Sequence, residues 1–149
     1  MILVREFDER DAEVVSRLIR DNLIEVNSRD YDGKVIDYMC DLFSPAYLRE
    51  IARERVVLVA EVNGHVLGVV SLNGDEICTL YVSPEAHGQR IGERLLHEIE
   101  DVALSRHLHV VYLSASLTAV RFYEKMGYVS LEREESEYFG PAWIMTRTL

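Results

Sequence analysis

Apolar and polar positions change period along this chain, and the changes mark out its elements. Ile2 to Phe7 alternates as a short strand does. Asp8 is placed to cap the helix that follows, with Asp11 in its first turn. Ala12, Val15, Leu18, Ile19, Leu23 and Val26 then share one face at helical spacing. Asn27 to Gly33 is polar and reads as a loop. Val35 to Phe43 predicts a second helix, and Ser44-Pro45 opens a third through about Ile51.

The period then shortens. Val56 to Val62, Val66 to Leu72 and Glu76 to Val82 are β-rich runs joined by Asn63-Gly64 and Asn73-Gly74, the two-residue turns that need positive φ. They predict a three-strand antiparallel meander. A helix after Gly88 buries Ile91, Leu95, Ile99, Val102 and Ala103, and Val110 to Ala115 is the next strand. With Glu76 to Val82 these form a β-α-β unit, whose strands should be parallel neighbours joined by a right-handed crossover. A helix from Thr118 to Met126 ends at Gly127, and strands Tyr128 to Glu134 and Ala142 to Leu149 close the chain around a loop from Glu135 to Pro141. The expected architecture is a mixed α/β sheet, mostly antiparallel, flanked by helices, with a central βαβ unit. No repeat, linker or low-complexity tract divides it, so residues 1–149 read as a single domain.

Composition narrows the class. No apolar run approaches the ~20 residues a bilayer span needs, so no membrane association is expected. MILVREFDER lacks the basic start and apolar stretch of a secretory leader, which makes a cytoplasmic location the expectation. Cys40 and Cys78 are too few for a disulfide framework and read as reduced core thiols. The net charge of −10 argues against nucleic acid as a partner. It is consistent with simple solubility and also with attraction of a cationic substrate.

The candidate chemistry lies in EICTLYVSPEAHGQRIGERLL, residues 76–96. A strand ends at Ser83-Pro84, a glycine-containing turn follows, and the turn runs into a helix. The first N–H groups of a helix have no partner within it, and the macrodipole adds partial positive charge there. Gly88 and Gly92 allow close approach to the backbone. The pattern points to an anion site for a phosphate-bearing cofactor, with His87, Arg90 and Arg94 as nearby cations.

This order of elements resembles the GCN5-related N-acetyltransferase (GNAT) superfamily, over nearly the whole chain. The resemblance is sharpest at Leu80-Tyr81-Val82-Ser83-Pro84 through Gly92, and at Ala119-Val120-Arg121-Phe122-Tyr123-Glu124-Lys125-Met126-Gly127-Tyr128. The family's turn is Gln/Arg-x-x-Gly-x-Gly/Ala; here it is His87, Gly88, Gln89, Arg90, Ile91 and Gly92. His87 stands in place of Gln or Arg, and Arg90 in place of the first glycine. A residue opening a helix is expected at negative φ, where a Cβ is allowed.

The resemblance implies acetyl-CoA or a related acyl-CoA as co-substrate, without a metal. Amides of Gln89, Arg90, Ile91, Gly92 and Glu93 would hold its pyrophosphate, Leu80, Tyr81 and Val82 would pair with the pantetheine arm, and Ser116 would either touch that arm or cap a helix. An amide near Tyr81 would polarise the thioester carbonyl. Tyr123 is implied as general acid and Glu76 as general base, the latter equally readable as a solvated strand-end carboxylate. Free Tyr, at a pKa of about 10, loses ~2 kcal/mol in protonating a thiolate of about 8.5, so Tyr123 needs a lowered pKa or acts as a hydrogen-bond donor. The acceptor, an amine-bearing small molecule or peptide, is expected against Asn27 to Gly33, the helix after it and Glu135 to Pro141. Those regions carry Asp30, Asp32, Glu134, Glu135 and Glu137. Relatives are often dimers, so a homodimer is one implied assembly.

Two other readings compete. FYEKMGY is similar to a phrase of glyoxalase-like vicinal oxygen chelate enzymes, but it stands once, near the C-terminus, and His107-x-His109 has no obvious third ligand. A non-catalytic acyl-CoA-binding sensor would keep the turn and lose the chemistry.

Overall fold

The computed structural model describes residues 1–149. Seven strands form one sheet in the order β1-β2-β3-β4-β5-β7-β6. They are β1 (Ile2–Glu6), β2 (Val56–Val62), β3 (His65–Asn73), β4 (Glu76–Val82), β5 (Val110–Ser116), β6 (Val129–Ser136) and β7 (Gly140–Thr148). The five helices are α1 (Ala12–Glu25), α2 (Gly33–Leu42), α3 (Pro45–Glu54), α4 (Ile91–Ser105) and α5 (Val120–Lys125). Every neighbouring strand pair is antiparallel except β4 and β5. This is the expected meander and βαβ unit.

Caps place the helix starts as the sequence suggests. Asp8 accepts from Arg10 N while Asp11 accepts from Asp8 N, a reciprocal cap on the short 3-10 turn that leads into α1. Asp32 caps α2 and Ser44 caps α3, the latter with Pro45 in the first turn. The differences lie at ends. The expected loop 27–33 contains a 3-10 turn, Asn27–Arg29, and the loop 135–141 shrinks to its tip. Pairing continues through Glu135↔Pro141 and Ser136↔Gly140, because a solvated edge strand needs no apolar alternation.

Two cores lie on the two faces. One packs α4 and α5 against the sheet around Leu95, Leu96, Ile99, Leu113 and Met145. The other packs α1, α2 and α3 around Ile19, Leu23, Leu48, Val59 and Val69. The sheet is thus sandwiched where it is continuous, and what matters for function is where it is not.

Candidate active site

Strands β4 and β5 pair only at Glu76↔Tyr112 and Ile77↔Leu113. Beyond Ile77 they diverge, and each loses its partner on that side. A bulge helps to turn β4 away. Val69↔Tyr81 and Ser71↔Cys78 leave Val70 opposite two residues, and Thr79 sits at φ +56°. Ser71 Oγ donates to Cys78 O at 3.2 Å and steadies the distortion. The gap opens into a cleft of about 680 Å³, within the range of small-molecule sites.

The cleft gathers most of the residues that the sequence singles out. Leu80, Tyr81, Val82, His87, Gly88, Arg90, Ile91, Gly92, Glu93, Ser116 and Tyr123 all line it. Gln89 and Glu76 do not. Gln89 lies on the exposed outside of the turn. Glu76 lies at the closed end of the gap, two residues before the lining residue Cys78.

At the open end stands α4. None of the backbone N–H groups from Gly88 to Glu93 donates to a protein atom, and no side chain caps the helix. The first intrahelical bond runs from Arg94 N to Arg90 O. Ring nitrogen Nε2 of His87 meets Val82 O at 3.0 Å, so His87 ties the turn to the end of β4. Gly88 is at φ +87°. Arg90 corrects an expectation: its φ is +62°, in the left-handed region, although it immediately precedes α4. The chain must reverse there to enter the helix, and glycine is the residue that does so without a Cβ clash. Arg90 therefore holds a strained backbone beside the free amides.

Tyr123 reaches the cleft from α5. It is 7% exposed, its ring held edge-on by Phe122 and Tyr128 at 5.2 and 5.7 Å. Its hydroxyl is not among the occluded atoms and bonds no protein group. Burial, with Tyr81 and Cys78 nearby, raises its pKa above the ordinary tyrosine value. The lowered pKa that full proton donation needs is not found. Tyr128 is itself fixed by a 2.7 Å bond to the buried Glu100, which also takes Arg147 at 2.8 Å.

Burial, opposed by Arg55 and aided by Glu134, raises the Glu76 carboxyl. Cys78 lines the cleft as well, but burial and the neighbouring Glu76 push its thiol up to about 12. That thiol stays protonated near neutrality and is a poor nucleophile. Ser116 caps no helix; its carbonyl accepts from Ala119 N and its side chain lines the cleft. No cluster of three His, Cys, Asp or Glu side chains is gathered for a metal.

Some lining residues escaped the sequence reading: Asn22 and Val26 at the end of α1, and Ser114, Thr118 and Phe122, while Asn27 opens the loop expected against the acceptor. For Asn22 a signal existed, since it falls on the apolar stripe of α1 beside Leu23 and is 8% exposed. The loop after α1 is stitched across the cleft mouth. Tyr31 donates to Pro141 O at 2.6 Å and accepts from Leu117 N at 2.9 Å, while Thr118 Oγ1 donates to Asp30 at 2.8 Å.

Fold and site together define a class: a mixed α/β protein in which two parallel strands part in front of a bare helix N-terminus, an arrangement suited to an anion. The sequence profile of the acetyltransferase (GNAT) domain matches residues 28–148, and the chain belongs to that family. It is similar in structure to a GCN5-related N-acetyltransferase from Rhodopseudomonas palustris, at 25% identity and a TM-score of 0.93 over 99% of this chain and 95% of that one. It is also similar to the PaiA N-acetyltransferase of Thermoplasma acidophilum, solved with coenzyme A, at 22% identity and a TM-score of 0.85 over 100% and 99%. A ribosomal-protein-alanine N-acetyltransferase from Brucella melitensis shares the fold at 23% identity, with a TM-score of 0.70 over 99% of each. No curated protein sequence matches the chain significantly.

Proposed function

We propose that the protein is an N-acetyltransferase moving an acetyl group from acetyl-CoA directly to a primary amine of a small molecule, peptide or protein. The observation that carries this reading is the run of unpartnered N–H groups from Gly88 to Glu93 at the open end of the split between β4 and β5. Such a run suits a diphosphate even on a chain of net charge −10. The bare edges of β4 and β5 suit an amide-bearing arm lying between them as an added strand would. Gly92 supports the same reading. A Cβ there would meet Phe122 at 3.5 Å and Val82 at 3.6 Å, ordinary contacts. A methyl group fits there, in keeping with the Gly or Ala of the family's turn, and the amide stays open to a ligand.

Acetyl-CoA supplies a thioester: the amine nitrogen bonds the carbonyl carbon as the carbon–sulfur bond breaks, sulfur keeps the electron pair, and the nitrogen gives up a proton. Amides of β4 near Tyr81, beside the Thr79 bulge, would donate where negative charge develops on oxygen. Tyr123 keeps its proton on Oη and donates a hydrogen bond to the departing sulfur. Burial of Tyr123 widens a gap that already disfavours outright transfer by ~2 kcal/mol. An amine of pKa near 10.4 is neutral only about once in 10³ molecules at pH 7, so recovering the neutral form is worth about 4 kcal/mol. Glu76, raised by burial, is the base that collects that proton through solvent at the closed end of the cleft.

Release of coenzyme A thiol from acetyl-CoA, measured against a panel of primary amines, tests the reading. Tyr123→Phe should lose about 10² in kcat with unchanged affinity for coenzyme A. Glu76→Gln should lose most at the acid end of the pH profile, where free amine is scarcest. Equal rates for the natural chain and Tyr123→Phe would remove the hydroxyl from the mechanism. Tight uptake of coenzyme A with no thiol release from any amine would favour a non-catalytic acyl-CoA sensor.

A further inference from the structure

Two asparagines at the end of α1 have no task in the reaction just described. Asn22 is 8% and Asn27 7% exposed, and both line the cleft. Asn22 Nδ2 donates to Asn27 Oδ1 at 2.9 Å. That bond turns the carbonyl of Asn27 inward and leaves its amide nitrogen pointing the other way. Asn27 Nδ2 bonds no protein atom and is not among the occluded polar atoms, so what little of Asn27 is accessible faces the cleft. Asn22 bears the cost. Its Oδ1 is the one occluded side-chain polar atom in the protein without a hydrogen bond, a defect worth about 1–3 kcal/mol. Leucine would fill that position on the apolar stripe with no such loss. An atom of this kind beside a ligand cleft points to a polar task for the pair.

The pair also lies on a particular side of the sheet. The free amides from Gly88 to Glu93 lead into α4, which packs on one face. Asn22 and Asn27 belong to α1 and the turn after it, packed on the other. The gap between β4 and β5 joins the two faces. A molecule anchored by its phosphates at α4 therefore meets the asparagines only across the gap, on the face opposite its anchor.

Resting on the transferase reading, we infer that Asn27 donates a hydrogen bond from Nδ2 to a neutral oxygen of the acceptor, close to its reacting amine, and that Asn22 is the residue that positions it. A carboxamide N–H recognises a carbonyl or hydroxyl oxygen and gains nothing from an ammonium group. The acceptor class is then an amine bearing such an oxygen within a few bonds, as in an α-amino amide or an amino sugar, rather than a bare alkylamine.

Alaninamide, glucosamine and n-butylamine test this with acetyl-CoA, since only the first two carry the oxygen and they separate carbonyl from hydroxyl. Compared at equal concentrations of neutral amine, the natural chain should prefer one of them to n-butylamine. Asn27→Leu and Asn22→Leu should each reduce that preference about tenfold, the worth of one hydrogen bond near 1.4 kcal/mol. Calorimetric affinity for coenzyme A should be the same in all three proteins. In the ¹⁵N-labelled, coenzyme A-loaded chain, the preferred amine should shift the Asn27 side-chain amide resonances and n-butylamine should not. Equal rates for all three amines with the natural chain, equal losses for all of them in Asn27→Leu, or loss of coenzyme A affinity in either variant would overturn the inference while leaving the transferase reading intact. No thiol release with any amine and no uptake of coenzyme A would remove both.

Discussion

Arg90 and Gly92 stand two residues apart, and their roles separate by which state of the protein needs them. Gly92 lies in the first turn of α4 with room for a methyl group. Gly92→Ala should raise stability by about 0.5–1 kcal/mol through better helix propensity. It should at the same time keep affinity for coenzyme A, whereas the larger Gly92→Leu should weaken it about tenfold or more, read by thermal unfolding and calorimetry on one sample. Unchanged affinity in Gly92→Leu would detach the α4 N-terminus from the cofactor. Arg90 is the opposite case, a left-handed residue with a Cβ. Arg90→Gly should gain about 1 kcal/mol by relieving that backbone, and lose a few-fold in coenzyme A affinity with the cation gone. The positive φ was misjudged although the family's turn has glycine at that position, because a residue opening a helix ordinarily has negative φ and an arginine gives no sign of the reversal. The turn itself was legible, because Gly88, Gly92 and the strand before them carry their meaning locally.

Legibility among the elements follows the same rule. Strands β2, β3 and β4 and helix α4 are written in local periodicity and in the Asn-Gly turns, and they stand where the pattern puts them. Strand β6 runs past the expected end because its residues are exposed and polar, so nothing in its own pattern records the partner that extends it. The end of α1 was legible only in part, for a related reason. Asn22 and Asn27 are polar, and nothing local records that the fold buries them beside residues of β4, distant in sequence. The segment after α1 owes its place to long-range bonds. Gly140, at φ +72°, leaves space that a Cβ would take within 2.9 Å of the Tyr31 ring, and Tyr31 fastens Leu117 and Pro141. Tyr31→Phe should cost about 1–2 kcal/mol, because it leaves an N–H and a carbonyl without their partner. Hydrogen exchange should quicken at Leu117, and KM for the amine should rise while affinity for coenzyme A holds. Unchanged exchange and KM would show that the stitching does not shape the acceptor side.

At the scale of the molecule, a net charge of −10 acts on whatever approaches it. Asp30, Asp32, Glu134, Glu135 and Glu137 add local negative potential around the segments that face each other across the mouth. A multiply charged cationic amine should therefore show KM rising several-fold as ionic strength goes from about 0.01 to 0.15 M, with kcat unchanged, as the Debye length falls from about 30 to 8 Å. An uncharged acceptor such as hydroxylamine should show little change. Equal salt dependence for both would leave the acidic residues as solubilising groups only.

The parting of β4 from β5 lines one cleft from both faces of the sheet, so that two reactants could use separate doors. On the transferase reading, neither product has to wait for the other: the amide leaves past α1 and the thiol past α4. Each should compete only with its own precursor in inhibition kinetics. Selection can then retune the α1 door for new amines while the α4 door keeps its grip on a universal carrier.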